Sequence, residues 1–121
     1  MKTYNRIHFN EICRILTDAA KGVGAVSGYS YVLSDMILSL TELSKKFHEG
    51  SKESFYFAIR EQGTECGSKE NCIERCSCLG YPLVIAKIER DACMDLNMTI
   101  MFTHNWMSGD NKYMEQEFNS L

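Results

Sequence analysis

The sequence lacks any apolar run that could serve as a secretion signal or a membrane span. Residues 1–13 include polar side chains and Glu11 where a signal peptide needs unbroken apolar residues. The most apolar later segment, residues 29–43, contains Asp35 and Glu42. We therefore expect a cytoplasmic protein without membrane contact. Its six cysteines should then be reduced thiols or metal ligands and not disulfides.

The sequence also lacks an excess of basic residues and any sign that the chain is divided into several domains. Its formal net charge is −3, whereas a dedicated nucleic-acid-binding protein is usually basic, so nucleic acid is not an expected partner. No internal repeat, low-complexity segment or linker is present, and 121 residues are enough for one hydrophobic core. We predict a single domain, 1–121, with a helical part 5–48, a sheet part 54–103 and a C-terminal tail 104–121.

Two amphipathic helices are predicted in the first half of the chain. Apolar residues recur at spacings of three or four over residues 5–21 and again over about 30–47. Glycines follow each segment, and they end helices because glycine adopts left-handed backbone conformations readily. The glycines at 22, 24 and 28 are not expected to bind phosphate, since a dinucleotide-binding loop needs a strand before it.

The second half predicts three antiparallel strands, near residues 54–61, 81–91 and 93–103. The first alternates Phe55, Phe57 and Ile59 with Tyr56, Ala58 and Arg60, and the third alternates apolar with mostly polar side chains. The only proline, Pro82, stands at the start of the second. Few residues separate the second strand from the third, which predicts a hairpin. Met114, Phe118 and Leu121 share one helical face and predict a short C-terminal helix. The predicted fold is α+β, with two N-terminal antiparallel helices packed on a three-stranded antiparallel sheet.

The segment 66–78 between the first two strands is rich in cysteine and is predicted to be a loop. In an antiparallel meander, this loop and the end of the third strand lie at the same end of the sheet. We therefore expect six candidate side chains to meet there: Glu61, Cys66, Cys72, Cys76, Cys78 and His104.

Zinc is one interpretation of this group. Structural zinc sites use four cysteine or histidine ligands, and the four cysteines and His104 could supply them. However, the spacing contains no C-x2-C pair, which the common zinc signatures have. Reduced thiols without a fixed role, or a redox pair formed by Cys76 and Cys78, remain alternatives.

A weaker interpretation is a hydrolase or transferase in which Cys66 or Cys78 is the nucleophile, His104 the base and Glu61 its orienting group. No glycine elbow or oxyanion motif accompanies these residues. The leading prediction is therefore a small cytoplasmic binding or interaction module without catalytic activity and without a cofactor, zinc being the alternative. A protein partner or a second copy is expected, because three strands leave two open sheet edges.

Overall fold

The computed structural model describes residues 1–24, 30–50, 52–60, 63–103 and 111–121. Within these ranges the fold is α+β, with four helices and a five-stranded antiparallel sheet. The elements in chain order are β1 (Lys2–Tyr4), α1 (Phe9–Gly22), α2 (Ser30–His48), β2 (Phe55–Arg60), β3 (Gly63–Gly67), α3 (Lys69–Leu79), β4 (Pro82–Arg90), β5 (Leu96–Phe102) and α4 (Asn111–Asn119).

The three predicted strands are adjacent in the sheet, whose full order is β1-β5-β4-β2-β3. Phe57 of β2 pairs with Ala86 of β4, and Ile88 of β4 pairs with Met98 of β5, both in antiparallel register. The β4–β5 hairpin is confirmed. Its turn is stabilised by the carboxylate of Asp91, which accepts from the backbone N–H groups of Cys93 at 2.9 Å and Asp95 at 3.0 Å.

The predicted number of three strands was wrong, because β1 and β3 extend the sheet on either side. β1 has only three residues, too few to show a two-residue period, and it is held by pairing with β5. β3 has the sequence GTECG, which contains no apolar alternation, and it pairs with residues 56–60 of β2. Both strands provide partners for backbone N–H and C=O groups that would be unpaired at the edges of a three-stranded sheet.

The prediction that residues 66–78 form a loop was also wrong. Its first two residues belong to β3, and most of the rest forms α3. Ser68 is the N-cap of this helix, since its side chain accepts a hydrogen bond from the backbone N–H of Asn71 at 3.2 Å. The chain therefore returns along the sheet as a helix, not as an open loop.

α1 and α2 cover one face of the sheet, as predicted. Ile12 and Leu16 of α1 and Leu43 of α2 are fully buried against Phe57 and Ile88 of the sheet. α2 begins and ends close to its predicted limits, and Gly50 follows it with φ +69°. α1 begins at Phe9, later than predicted, because residues 2–4 are in the sheet.

The opposite face is covered as well, by the predicted C-terminal helix and by α3, which was not predicted. α3 contributes Cys72 and Cys76, and the predicted C-terminal helix, α4, contributes Met114 and Phe118. The centroids of the aromatic rings of Phe118 and Tyr56 are 5.9 Å apart. Burial on both faces explains why all six residues of β2 are buried.

In the part of the chain that the structure describes, no helix has the length and apolar character needed to cross a membrane.

Candidate functional site

The predicted cysteine site is divided between two layers. Cys66 lies on β3 opposite Phe57 and packs against the core below α1 and α2. Cys72 and Cys76 lie on α3 in the core of the other face. Cys78 is exposed. Glu61 and His104 lie outside the described residues.

The end of the sheet forms largely as the meander predicts. Arg60, the last residue of β2, pairs with Pro82 at the start of β4, and the backbone N–H of Thr103 donates to Leu83 at 3.1 Å. Cys66 is three residues away from this end, because its partner is Phe57. At about 3.3 Å per residue, that is a displacement of about 10 Å along the strand.

Among the described residues, no group of three or more histidine, cysteine or carboxylate side chains is placed to hold a metal ion. The site formed by Cys66, Cys72, Cys76, Cys78 and His104 therefore stays a prediction, since it includes a residue outside that part of the chain.

Burial keeps three of the thiols protonated. It raises the pKa of Cys66 to about 12, with the nearby carboxylates of Glu42 and Glu65 adding to the effect. It also raises the pKa of Cys76 to about 12, although the positive charge of Arg60 acts in the opposite direction. The pKa of Cys72 is raised by burial and by the neighbouring thiols, and its S–H donates to the carbonyl of Tyr56 at 3.4 Å. A nucleophilic cysteine needs a lowered pKa, so these environments suit packing and not thiolate chemistry.

A polar cavity of about 420 Å³ lies beside the β2–β3 hairpin, between α2 and α3. Four separate elements provide its walls. Its lining consists of Asp35, Leu38, Ser39, Arg60, Thr64, Glu65 and Arg75. We refer to it below as the polar cavity.

Two arginines meet one carboxylate in the polar cavity. Oε1 of Glu65 accepts a hydrogen bond from Nη2 of Arg60 at 3.1 Å and another from Nε of Arg75 at 3.3 Å. The side chain of Arg60 is only 8% exposed, whereas that of Arg75 is 51% exposed. A buried guanidinium must be compensated by a partner charge, and Glu65 supplies it.

α2 is joined to β3 along the same cavity. The hydroxyl groups of Ser39 and Thr64 are hydrogen-bonded at 2.9 Å, and both side chains are buried. One turn earlier, the carboxylate of Asp35 lies against Gly63. A β-carbon at position 63 would be 2.8 Å from Oδ2 of Asp35 and 3.4 Å from Nη2 of Arg60. Glycine at this position lets the carboxylate and the guanidinium approach the strand.

Sequence reasoning missed the polar cavity. One local signal exists, because Arg60 ends a strand whose other residues, FYFAI, are apolar or aromatic. Nothing in the sequence links Arg60 to Asp35 or to Arg75, however, since these residues come from different elements that only the folded sheet brings together.

Comparison of the chain with protein-family models, with curated proteins and with solved structures finds no significant match.

Proposed function

We propose that the protein is a small binding module without catalytic activity, and that it binds a small polar ligand in the polar cavity. The observation that carries the proposal is the nearly buried guanidinium of Arg60, which is held by Glu65 in the wall of an open cavity. Burying charged groups is costly, and hydrophobic replacements of a buried ion pair are often at least as stable. A binding role gives a reason for such a group at this position.

The shape of the site supports the same proposal. Ligand sites are concave, with volumes of roughly 300–1,000 Å³ and a few convergent polar groups. The polar cavity is near the lower limit at about 420 Å³, which suits a small metabolite. The raised pKa values of Cys66 and Cys76 support a role without thiol catalysis.

Screening a library of small polar compounds by NMR tests the proposal. The backbone amide signals of the ¹⁵N-labelled protein report where a compound binds. We expect at least one compound to shift the signals of Asp35, Thr64 and Arg75 while those of Arg14 and Asp18, an exposed pair on α1, stay unchanged. A library in which no compound affects the cavity signals would contradict the proposal.

Self-association is a second candidate, favoured by exposed apolar side chains on α2. Ile37 is 57% exposed, and it borders an apolar groove of about 610 Å³ between α1 and α2 that also includes Phe9 and Leu40. A second copy that offers the same apolar groove would cover it in a symmetric dimer.

Sedimentation at micromolar concentration tests this candidate. We expect a concentration-dependent dimer that Ile37→Lys converts to monomer, while Glu115→Lys on α4 has no effect. A purely monomeric wild-type protein would rule out self-association.

A further inference from the structure

Among the described residues that line the polar cavity, Arg60 and Arg75 supply two guanidinium groups, and both contact the carboxylate of Glu65. Asp35, on α2, forms no ion pair or hydrogen bond with any residue that the structure describes. The α2 side therefore has an excess of negative charge.

Arg75 has hydrogen-bond donors to spare. Its Nε donates to Glu65, but its two terminal nitrogens form no hydrogen bond within the described parts of the chain. The side chain is half-exposed and borders the cavity. Two guanidinium nitrogens in this arrangement match the two oxygens of a carboxylate, a pairing that combines charge with fixed geometry.

Asp35 provides the opposite kind of group. An ionised carboxylate only accepts hydrogen bonds, and a ligand ammonium offers up to three N–H donors. Gly63 allows this carboxylate to lie close to β3 and toward the arginines, where a larger residue would push it away.

We propose that the polar cavity binds a small zwitterion, a molecule such as a free α-amino acid, with its ammonium group at Asp35 and its carboxylate at Arg75. The inference rests on the proposed binding function and names its ligand class. Leu38 forms an apolar part of the lining and is 64% exposed, so it can contact the ligand's side chain.

Ligands of one charge fit this layout less well. A simple anion would meet the carboxylate of Asp35, and a simple cation would meet the guanidinium groups of Arg60 and Arg75. A like charge placed at such close range opposes binding. A zwitterion satisfies both sides and leaves the net charge of the cavity unchanged.

The first experiment uses the wild-type protein and all twenty L-amino acids. Each is added at about 10 mM, a concentration that detects millimolar affinity, while amide signals of the ¹⁵N-labelled protein are recorded. We expect at least one amino acid to shift the signals of Asp35 and Arg75. The N-acetyl derivative of that amino acid lacks the ammonium, and its amide derivative lacks the carboxylate. Each should bind at least about tenfold more weakly, because each loses charged hydrogen bonds.

The second experiment changes the protein. Asp35→Asn and Arg75→Gln should each raise the dissociation constant of the same amino acid by at least about tenfold. Arg14→Gln and Asp18→Asn make the same chemical changes in an exposed ion pair that does not line the cavity. These two substitutions should change the dissociation constant by less than about twofold. Thermal unfolding of all four variants checks that they fold.

The outcomes separate the inference from the proposed function. If cavity signals respond to other compounds but to none of the amino acids, or if the two derivatives bind as well as the parent, the zwitterion inference is wrong and the binding function stands. If no compound of any charge shifts these signals, both are wrong.

Discussion

At the scale of single residues, the six cysteines have very different environments. Cys72 and Cys76 are fully buried, Cys13 and Cys66 are partly buried, and Cys78 and Cys93 are exposed. A cysteine-rich sequence therefore does not imply a cysteine site, because the backbone assigns neighbouring cysteines to different layers.

Thiol reactivity should follow this division. A pKa of about 12 in place of the ordinary 9.0 for Cys66 and Cys76 leaves about a thousandfold less thiolate at pH 8. In a colorimetric thiol titration of the native protein, we expect Cys78 and Cys93 to react fast and Cys66, Cys72 and Cys76 to react only after unfolding. Cys78→Ser should remove one fast equivalent, and Cys72→Ser none. Rapid reaction of Cys66 or Cys76 in the folded protein would contradict their assigned environments.

The carboxylate of Glu65 should be a strong determinant of stability. Glu65→Ala removes a charged partner of Arg60, whose side chain is only 8% exposed, and we expect a loss of about 3 kcal/mol in the free energy of unfolding. Asp18→Ala breaks the exposed pair with Arg14 and should cost less than about 1 kcal/mol. Urea denaturation measures both. Equal effects of the two substitutions would mean that the buried pair is not stabilising.

At the scale of elements, the cover of the second sheet face depends on α3 and α4. Both are short. Phe118 is 1% exposed and contacts the ring of Tyr56, so it is an anchor of α4.

Truncation of this anchor should weaken the whole domain. We expect Phe118→Ala to lower the free energy of unfolding by about 3–5 kcal/mol, since it removes a buried aromatic ring and leaves a cavity. Glu115→Ala changes an exposed residue of the same helix and should stay within about 0.5 kcal/mol of the wild type. If Phe118→Ala were as mild as this control, α4 would not be packed on the sheet.

At the scale of the whole molecule, the buried thiols connect stability to pH. Their pKa values are raised in the folded protein, so folding favours the protonated form. The thiols make their full contribution to the free energy of unfolding below pH 9.0, which is the pKa of cysteine in the unfolded chain. This contribution is lost as the pH rises toward about 12, the pKa of Cys66 and Cys76 in the folded chain.

We therefore expect alkaline destabilisation that starts near pH 9. Above pH 9, the ionisation of each of Cys66 and Cys76 should lower the free energy of unfolding by up to about 1.4 kcal/mol per pH unit. Chemical denaturation at pH 7, 9 and 10 measures the slope. Cys66→Ala should reduce the slope, whereas Cys78→Ala, at an exposed position, should leave it unchanged. A slope that the first variant does not reduce would show that Cys66 ionises as freely in the folded chain as in the unfolded chain.

The sequence by itself determined the elements with a strong hydrophobic period. α1, α2, the three long strands and α4 each bury an apolar pattern that is visible in the chain, such as Met98 and Ile100 of β5. The pairing of β4 with β5 also followed, because a short connection forces neighbouring antiparallel strands.

Only the tertiary structure decided the rest. β1 and β3 have no period of their own and exist because an adjacent strand offers unpaired hydrogen-bonding groups. The placement of Cys66 and Cys72 on opposite faces depends on the turn into α3. The polar cavity joins Asp35, Arg60 and Arg75 from three separate elements. Local pattern records which side of an element is apolar, but it carries no information about which distant side chains face each other across a gap.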